Sequence, residues 1–299
     1  VLGRAQGAAI SPTLASSGVQ FAYYMVTDNT LGSWGNGFNM YSLSADNGSV
    51  LWRYNKTYAH DTTHNDVPGV LATIDATQQS GPANEVYFGD IEGKVWQVSA
   101  KDGTGALDVF DAAANYATAT SVNYPIESGL VLYIDPTNTH LTTLGVTGGA
   151  DWVPSTTFSE VFKVDLTNGL ATVPTADSWT TAATLGTGER VYAVPTIFGN
   201  NAYFITSIGG LQSGIGASFT ASGNLMRVDL GNTPGATVLA SVKQGASEVA
   251  VDASGNIIAA SATGITQNGN AGVDNSQSTI SLQNKSAKPI TVRAWLDLH

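Results

Sequence analysis

The chain contains no cysteine. That excludes disulfides, thiolate metal sites and a cysteine nucleophile together. It does not fix a compartment, because a chain of 299 residues buries enough surface to hold its fold without staples, inside a cell or outside one. Charge is scarce as well: 12% of residues are Asp, Glu, Lys or Arg. The basic sign is the rarer, 12 Lys and Arg against 23 Asp and Glu, for a net charge of −11. No Lys/Arg cluster is present, so nucleic acid is not an expected partner; phosphate backbones are held by such clusters. No apolar run reaches the roughly 18 residues that a membrane-spanning helix requires. There is no initiator Met and no signal peptide, and a chain that opens at Val1 is expected to be a mature or trimmed product.

What is plentiful is Gly, Ser, Thr, Ala and Asn, a balance that suits an extracellular or periplasmic β protein. The stretch Asn84–Gly103, NEVYFGDIEGKVWQVSAKDG, shows how these residues are used. Val86–Phe88 and Val95–Val98 flank Gly89-Asp90-Ile91-Glu92-Gly93, and Lys101-Asp102-Gly103 closes the unit. Lys94-Val95-Trp96-Gln97-Val98-Ser99 alternates polar with apolar, the period of a half-buried strand. Asp and Gly at the tips supply turn conformations closed to β-branched residues. The stretch reads as strand, turn, strand, turn.

The same unit recurs. Tyr41 begins YSLSADNGSVLW, Trp96 begins WQVSAKDGTGALDVF, Phe162 begins FKVDLTNGLATV and Met226 begins MRVDLGNTPGATVLA. Each is expected to be preceded by two strands: Ala8–Ala15 and Val19–Val26; Val67–Ile74 and Glu85–Phe88; Ser121–Ile126 and Leu130–Ile134; Arg190–Ile197 and Ala202–Ser207. All of these first strands carry a proline, at Pro12, Pro68, Pro125 and Pro195, which belongs at a strand end or bulge because it cannot donate to a ladder in mid-sheet. A weaker fifth unit is expected from Glu248–Asp252, Asn256–Ser261, Thr279–Gln283 and Ile290–Leu296. No helical period survives across the units. Four antiparallel strands repeated about five times predict an all-β fold, a β-propeller of four-stranded blades in a single domain over residues 1–299, possessed of sheltered sheet edges. A twisted β-sandwich of similar strand count is the competing architecture. Surplus length falls into loops at Thr27–Gly37, Lys56–Asp66, Gly145–Thr157, Gly209–Ser222 and Thr263–Ser278, where function concentrates on a rigid scaffold.

Candidate chemistry is thin. His60-Asp61-Thr62-Thr63-His64-Asn65-Asp66 gathers metal-capable side chains, but in a loop context it reads as a polar connection. His140, in a Thr/Asn-rich hairpin, and His299 are expected to be solvated. There is no Gly-x-Ser-x-Gly elbow. Asp102, Asp165 and Asp229 recur at turns or strand ends, which points to a structural job. Trp52, Trp96 and Trp295 are expected between units; Trp34 and Trp152, in Gly-rich loops, are the candidate interaction residues. Gly209-Gly210-Leu211-Gln212-Ser213-Gly214 lacks the lysine and helix of a phosphate loop.

Tyr87-Phe88-Gly89-Asp90-Ile91-Glu92-Gly93-Lys94-Val95-Trp96 resembles the Tyr-x-Gly-Asp-Leu-x-Gly-x-x-Trp signature of the PilY family. Gly35-Asn36-Gly37-Phe38-Asn39 is similar to that family's Gly-Asn-Gly-Tyr-Asn, Val67-Pro68 with Ile74-Asp75 to its strand leading into a calcium loop, and Ile290–Trp295 to its closing Arg/Trp strand. The resemblance covers most of the chain. It implies a quinoprotein-like propeller and a non-enzymatic protein exported from a bacterium to the cell surface or pilus. There it would prime or cap the type IV pilus through contacts with pilins, other tip proteins, a surface or a host receptor. It also implies a calcium loop, of which only Asp75 and Asn84 fall at the first and last ligand places, with one residue inserted; a calcium ion takes several carboxylates, so the loop is degenerate and calcium is the sole cofactor at issue. Two other functions fit similar cassettes: a quinoprotein dehydrogenase, whose adjacent cysteines this chain lacks, and a scaffold propeller of an outer-membrane assembly machine.

Overall fold

The computed structural model describes residues 5–15, 18–28, 37–57, 71–74, 82–90, 93–111, 126, 128–135, 139–147, 160–167, 179–185, 189–191, 193–208, 222–231, 236–243, 249–251, 257–261, 264–268 and 277–278. They are all β, with no helix among them. Sheet 1 is β1 (Ala5–Ala15), β2 (Gly18–Asp28), β3 (Gly37–Ser44) and β4 (Val50–Thr57). Sheet 2 is β5 (Ala72–Ile74), β6 (Glu85–Gly89), β7 (Lys94–Ser99) and β8 (Leu107–Asp111). Sheet 3 is β9 (Val131–Ile134), β10 (Leu141–Val146), β11 (Glu160–Asp165) and β12 (Trp179–Thr184). A short pair, β13 (Glu189–Arg190) with β16 (Ser207–Ile208), flanks sheet 4, which is β14 (Thr196–Phe198), β15 (Asn201–Ile205), β17 (Ser222–Asp229) and β18 (Ala236–Lys243). Sheet 5 is β19 (Val249–Val251), β20 (Ile257–Ser261), β21 (Gly264–Asn268) and β22 (Gln277–Ser278). Every pairing is antiparallel, in a simple up-and-down order.

Five four-stranded sheets match the number of units read from the repeat, and Tyr41, Trp96, Phe162 and Met226 all fall on third strands. Three units differ from expectation in their strands. In sheet 4 the expected first strand Arg190–Ile197 is divided, with Arg190 paired in β13 and β14 beginning at Thr196. In sheet 3 the second strand is Leu141–Val146, so Gly145 and Val146 lie in a strand and not in a loop, and Leu132–Tyr133 pair with Thr142–Thr143. In sheet 5 the third strand is Gly264–Asn268, inside the segment assigned to a loop. Gly145 in the one, and Gly264 and Asn268 in the other, are poor strand formers, and the ladder there is imposed by the neighbouring strands. Thr279–Gln283 and Ile290–Leu296 lie outside the described residues. Pro195 immediately precedes β14, at a strand end as expected, whereas Pro12 sits inside β1 opposite Phe21, tolerated there because β1 is an edge strand; Pro68 and Pro125 lie outside the described residues.

The core is divided. Met40, Phe88, Trp96 and Val98 lie in one buried cluster between sheets 1 and 2. Tyr87, Val95, Phe110 and Phe162 lie in another between sheets 2 and 3. Leu144, Val161, Phe204 and Met226 fill the junction of sheets 3 and 4, and Tyr203, Leu225, Val242 and Ile257 that of sheets 4 and 5. Sheets 2, 3 and 4 are thus covered on both faces, each by its two neighbours in sequence. A two-layer sandwich has one shared core between two inner faces; this arrangement has four cores in succession. First strands also touch in order, β1 with β5, β5 with β9, β9 with β14 and β14 with β19.

Each junction adds a hydrogen bond to a main-chain carbonyl. The Trp52 indole N–H donates to Ala100 O (3.0 Å), Ile126 N–H to Asp90 O (2.9 Å) and Lys163 Nζ to Leu230 O (3.1 Å), while the Thr196 hydroxyl donates to Val249 O. At the second junction Phe110 stacks on Phe162 with ring centroids 4.7 Å apart, worth about 0.5–1.5 kcal/mol beyond the area buried.

Candidate functional site

The hairpin β6–β7 carries the family-like signature, and its geometry accounts for Gly89, Asp90, Gly93 and Trp96; Ile91 and Glu92 lie outside the described residues. Asp90 is completely buried. Its Oδ1 accepts from the Lys94 N–H (2.9 Å), and its Oδ2 from the Trp96 indole N–H (2.8 Å). Its own N–H donates to Lys94 O (3.0 Å), and its carbonyl accepts from Gly93 and Ile126. A buried carboxylate is tolerable only with such a set of donors. Gly93 has φ +85°, a left-handed turn that glycine adopts without a steric cost. Gly89 is glycine for another reason: a Cβ there would stand 2.5 Å from Ile126 Cγ2, so the connection into sheet 3 could not close. The signature is a latch that fixes the hairpin, orients Trp96 into the first junction and docks the following sheet.

Asn39, the last residue of the second family-like motif, is buried and has the same character. Its Oδ1 accepts from Arg53 Nε (2.9 Å), Arg53 Nη2 and Asn55 Nδ2 (2.9 Å), while the guanidinium lies over the Tyr41 ring. Of the calcium-loop pair, Asp75 lies outside the described residues. Asn84 is half-buried at the neck of the loop: its N–H donates to Ile74 O (3.0 Å) and its carbonyl accepts from Ala100 N–H (2.9 Å). The adjoining Glu85 carboxyl is pushed above its usual range by burial and is hydrogen-bonded to Gln97. The Asn84 carbonyl and the Glu85 side chain at the described end of the loop thus both have partners within sheet 2. Trp34, Trp152, Trp295, His60, His64 and His299 lie outside the described residues.

The repeated aspartates do the structural job expected of them. Asp102 Oδ1 accepts from the Thr104 hydroxyl and N–H, Asp165 Oδ1 from Thr167 N–H and Asp229 Oδ1 from Gly231 N–H, each two residues on; Asn47 does the same for Ser49. These are Asx turns. The hydroxyl and N–H of Thr104 hold the Asp102 carboxyl below its usual range.

Sequence reasoning missed the charged groups inside sheet 3. Lys163 and Asp135 form an ion pair at 2.5 Å, with side chains 6% and 1% exposed. His140 is not solvated: it is half-buried, and its Nδ1 lies 2.6 Å from Asp165 Oδ2. The one available signal was Lys163, set between Val161-Phe162 and Val164 in the third strand. Further along, the buried Glu189 accepts from the Thr206 hydroxyl (2.5 Å) and Asn224 Nδ2 (2.7 Å). Each of these charges is absorbed by a partner. Among the described residues no group of three or more His, Asp or Glu side chains is placed to hold a metal.

The molecule is therefore, by its described residues, a succession of antiparallel four-stranded sheets latched by buried Asp, Trp and Lys side chains. Among solved structures, its fold is shared with the crystal structure of the Pseudomonas aeruginosa PilY1 C-terminal domain: TM-score 0.58, 87% of this chain and 70% of that one covered, at 10% sequence identity. The chain has a PilY-like fold. No family model and no curated protein matches its sequence.

Proposed function

We propose that the five sheets are blades of one β-propeller domain spanning residues 1–299, with the first strands innermost, and that it serves outside the bacterial cell as a non-enzymatic component of the type IV pilus machinery. The observation that carries this reading is the fold shared with the PilY1 C-terminal domain. The serial cores and the ordered contact of first strands support the radial arrangement, since radial packing shelters sheet edges in this way. Action is assigned to the long loops, with Trp34 and Trp152 as contact residues for pilins, other tip proteins or a surface receptor. The test is co-purification: an epitope-tagged protein should travel with sheared pili, and its deletion should reduce surface pili. Travel with outer-membrane proteins instead would favour an assembly scaffold. Dye-linked alcohol or sugar oxidation after addition of quinone and calcium would replace the reading with an enzyme.

Calcium is a separable part of the proposal. Asp75 and Asn84 would supply the first and last ligands, and with so few carboxylates the affinity would lie near the weak, millimolar end of calcium sites. If the degenerate loop still binds, millimolar calcium should raise the melting temperature and Asp75→Ala should abolish the rise. No calcium-dependent shift removes the site.

A further inference from the structure

Each sheet runs up and down, so its first-to-second and third-to-fourth connections leave one end, the turn end, and its other connections leave the opposite end. Ties between sheets join like ends. The Thr13 hydroxyl and the Trp52 indole both donate to Ala100 O, and the Trp52 ring lies against Gly103, at the turn ends of sheets 1 and 2. Lys163, held by Asp135, reaches Leu230 O at the turn ends of sheets 3 and 4. Between sheets 2 and 3 the tie from Ile126 N–H to Asp90 O lies at the opposite end. Register fixes what lines the turn end of this second junction. On sheet 2, Ile74 stands opposite Glu85, and Gln97 pairs with both Tyr87 and Leu107. Residues opposite each other, or two apart on one strand, share a face. This face looks to sheet 3, because Tyr87 and Val95 lie in the core of that junction. On sheet 3, Ile134 stands opposite Leu141, to whose carbonyl Leu166 N–H donates, and Leu132 and Leu166 pack on the same core. Leu107 is 44% exposed and Ile134 40%, although sheets 2 and 3 each have a neighbour on both faces. Their exposure belongs to the mouth of the junction and not to a missing sheet.

We infer that this mouth receives an extended segment of a partner protein, with a Lys or Arg held by Glu85 between two aliphatic side chains, one against Ile74 and Ile134 and the other against Leu107. Glu85 supplies the reason for a cation. It is half-buried, it is bonded to the neutral Gln97 amide, and the charge acting on it is another acid, Asp102. Lys101, exposed on the same turn, acts on Asp102. A carboxylate bonded to one amide keeps acceptor capacity for a charged donor, and the second acid adds to the attraction. The net charge of −11 draws a basic partner from a distance. The walls supply the reason for the flanking aliphatic residues. From first strand to fourth the mouth is about 14 Å long, at about 4.8 Å per strand, which roughly four to five extended residues fill. A free small amine would leave both walls uncovered. The connections that carry Trp34 and Trp152 join second strands to third and leave from the opposite end. The inference therefore concerns a second surface, and it does not rest on the pilus reading.

Selection from a random heptapeptide display library on the immobilised chain, in EDTA, tests it. The selected sequences should share one Lys or Arg flanked by aliphatic residues, and the synthetic consensus peptide should bind the chain by fluorescence anisotropy. Glu85→Gln should weaken that binding about tenfold or more, and Leu107→Ser severalfold. Phe198→Ser, at a similarly exposed apolar position on the turn end of sheet 4, should leave it unchanged. Glu85→Lys should reverse the choice, towards the same peptide with Glu in the basic position. Far-UV circular dichroism should confirm that each variant keeps the fold. Failure to select any peptide, or a consensus without a basic residue, overturns the inference. So does a consensus peptide indifferent to Glu85→Gln, capture only after calcium is added, or equal competition by arginine amide.

Discussion

Asp90→Ala should destabilise the protein by about 3–5 kcal/mol and lower its melting temperature by on the order of 10 °C. The carboxylate is wholly buried and accepts from the Lys94 N–H and the Trp96 indole. Alanine removes two charge-assisted bonds and leaves both donors without a partner in a dry site, where each orphan costs roughly 1–3 kcal/mol. Trp96→Phe should cost less, because it removes one donor and keeps most of the packing. The double substitution should cost clearly less than the sum, since the two residues share a bond. Asp90→Asn should fall in between: it keeps an acceptor for one donor and sets an N–H₂ group against the other. A loss below about 1 kcal/mol for Asp90→Ala would show that the signature is not a latch. It would then have to be explained by what it binds.

Lys163→Ala should be comparably damaging, about 3–5 kcal/mol, because it takes the ammonium counter-charge from the buried Asp135. It also removes the bond to Leu230 O that ties sheet 3 to sheet 4. Asp135→Ala should cost a similar amount by stranding the ammonium. Replacing both, Lys163→Met with Asp135→Leu, should recover most of the loss, since a well-packed apolar pair can equal a buried ion pair. Chemical denaturation of the three variants measures this directly. If the double variant is as unstable as either single one, the pair's worth lies in its tie to Leu230 and not in its charge balance.

Much of the fold was legible because the repeat is written in side-chain chemistry. Alternation at Lys94–Ser99, an Asx residue two places before the turn's end and a large residue at Tyr41, Trp96, Phe162 and Met226 all follow from local backbone demands. The third strands therefore came out correctly in four units. The second strand Leu141–Val146 and the third strand Gly264–Asn268 did not, because Gly and Asn weaken their local strand signal; pairing partners decide them. The site was less legible still. Lys163 with Asp135 and His140 with Asp165 meet across 28 and 25 residues of sequence, and nothing local marks them as partners. The Asp90 signature was visible as a motif, yet its meaning as a latch needed the position of Ile126, which comes from the next unit.

The succession of sheets is the claim on which the rest stands, and a chain without cysteine allows it to be tested by disulfide trapping. Thr196 on β14 and Val249 on β19 belong to first strands of different sheets, joined by a side-chain to main-chain bond. A Thr196→Cys/Val249→Cys protein should form an intramolecular disulfide under mild oxidation, while keeping its far-UV circular dichroism. A pair that stays reduced in the folded protein, or that links only between molecules, would contradict first strands standing side by side in chain order.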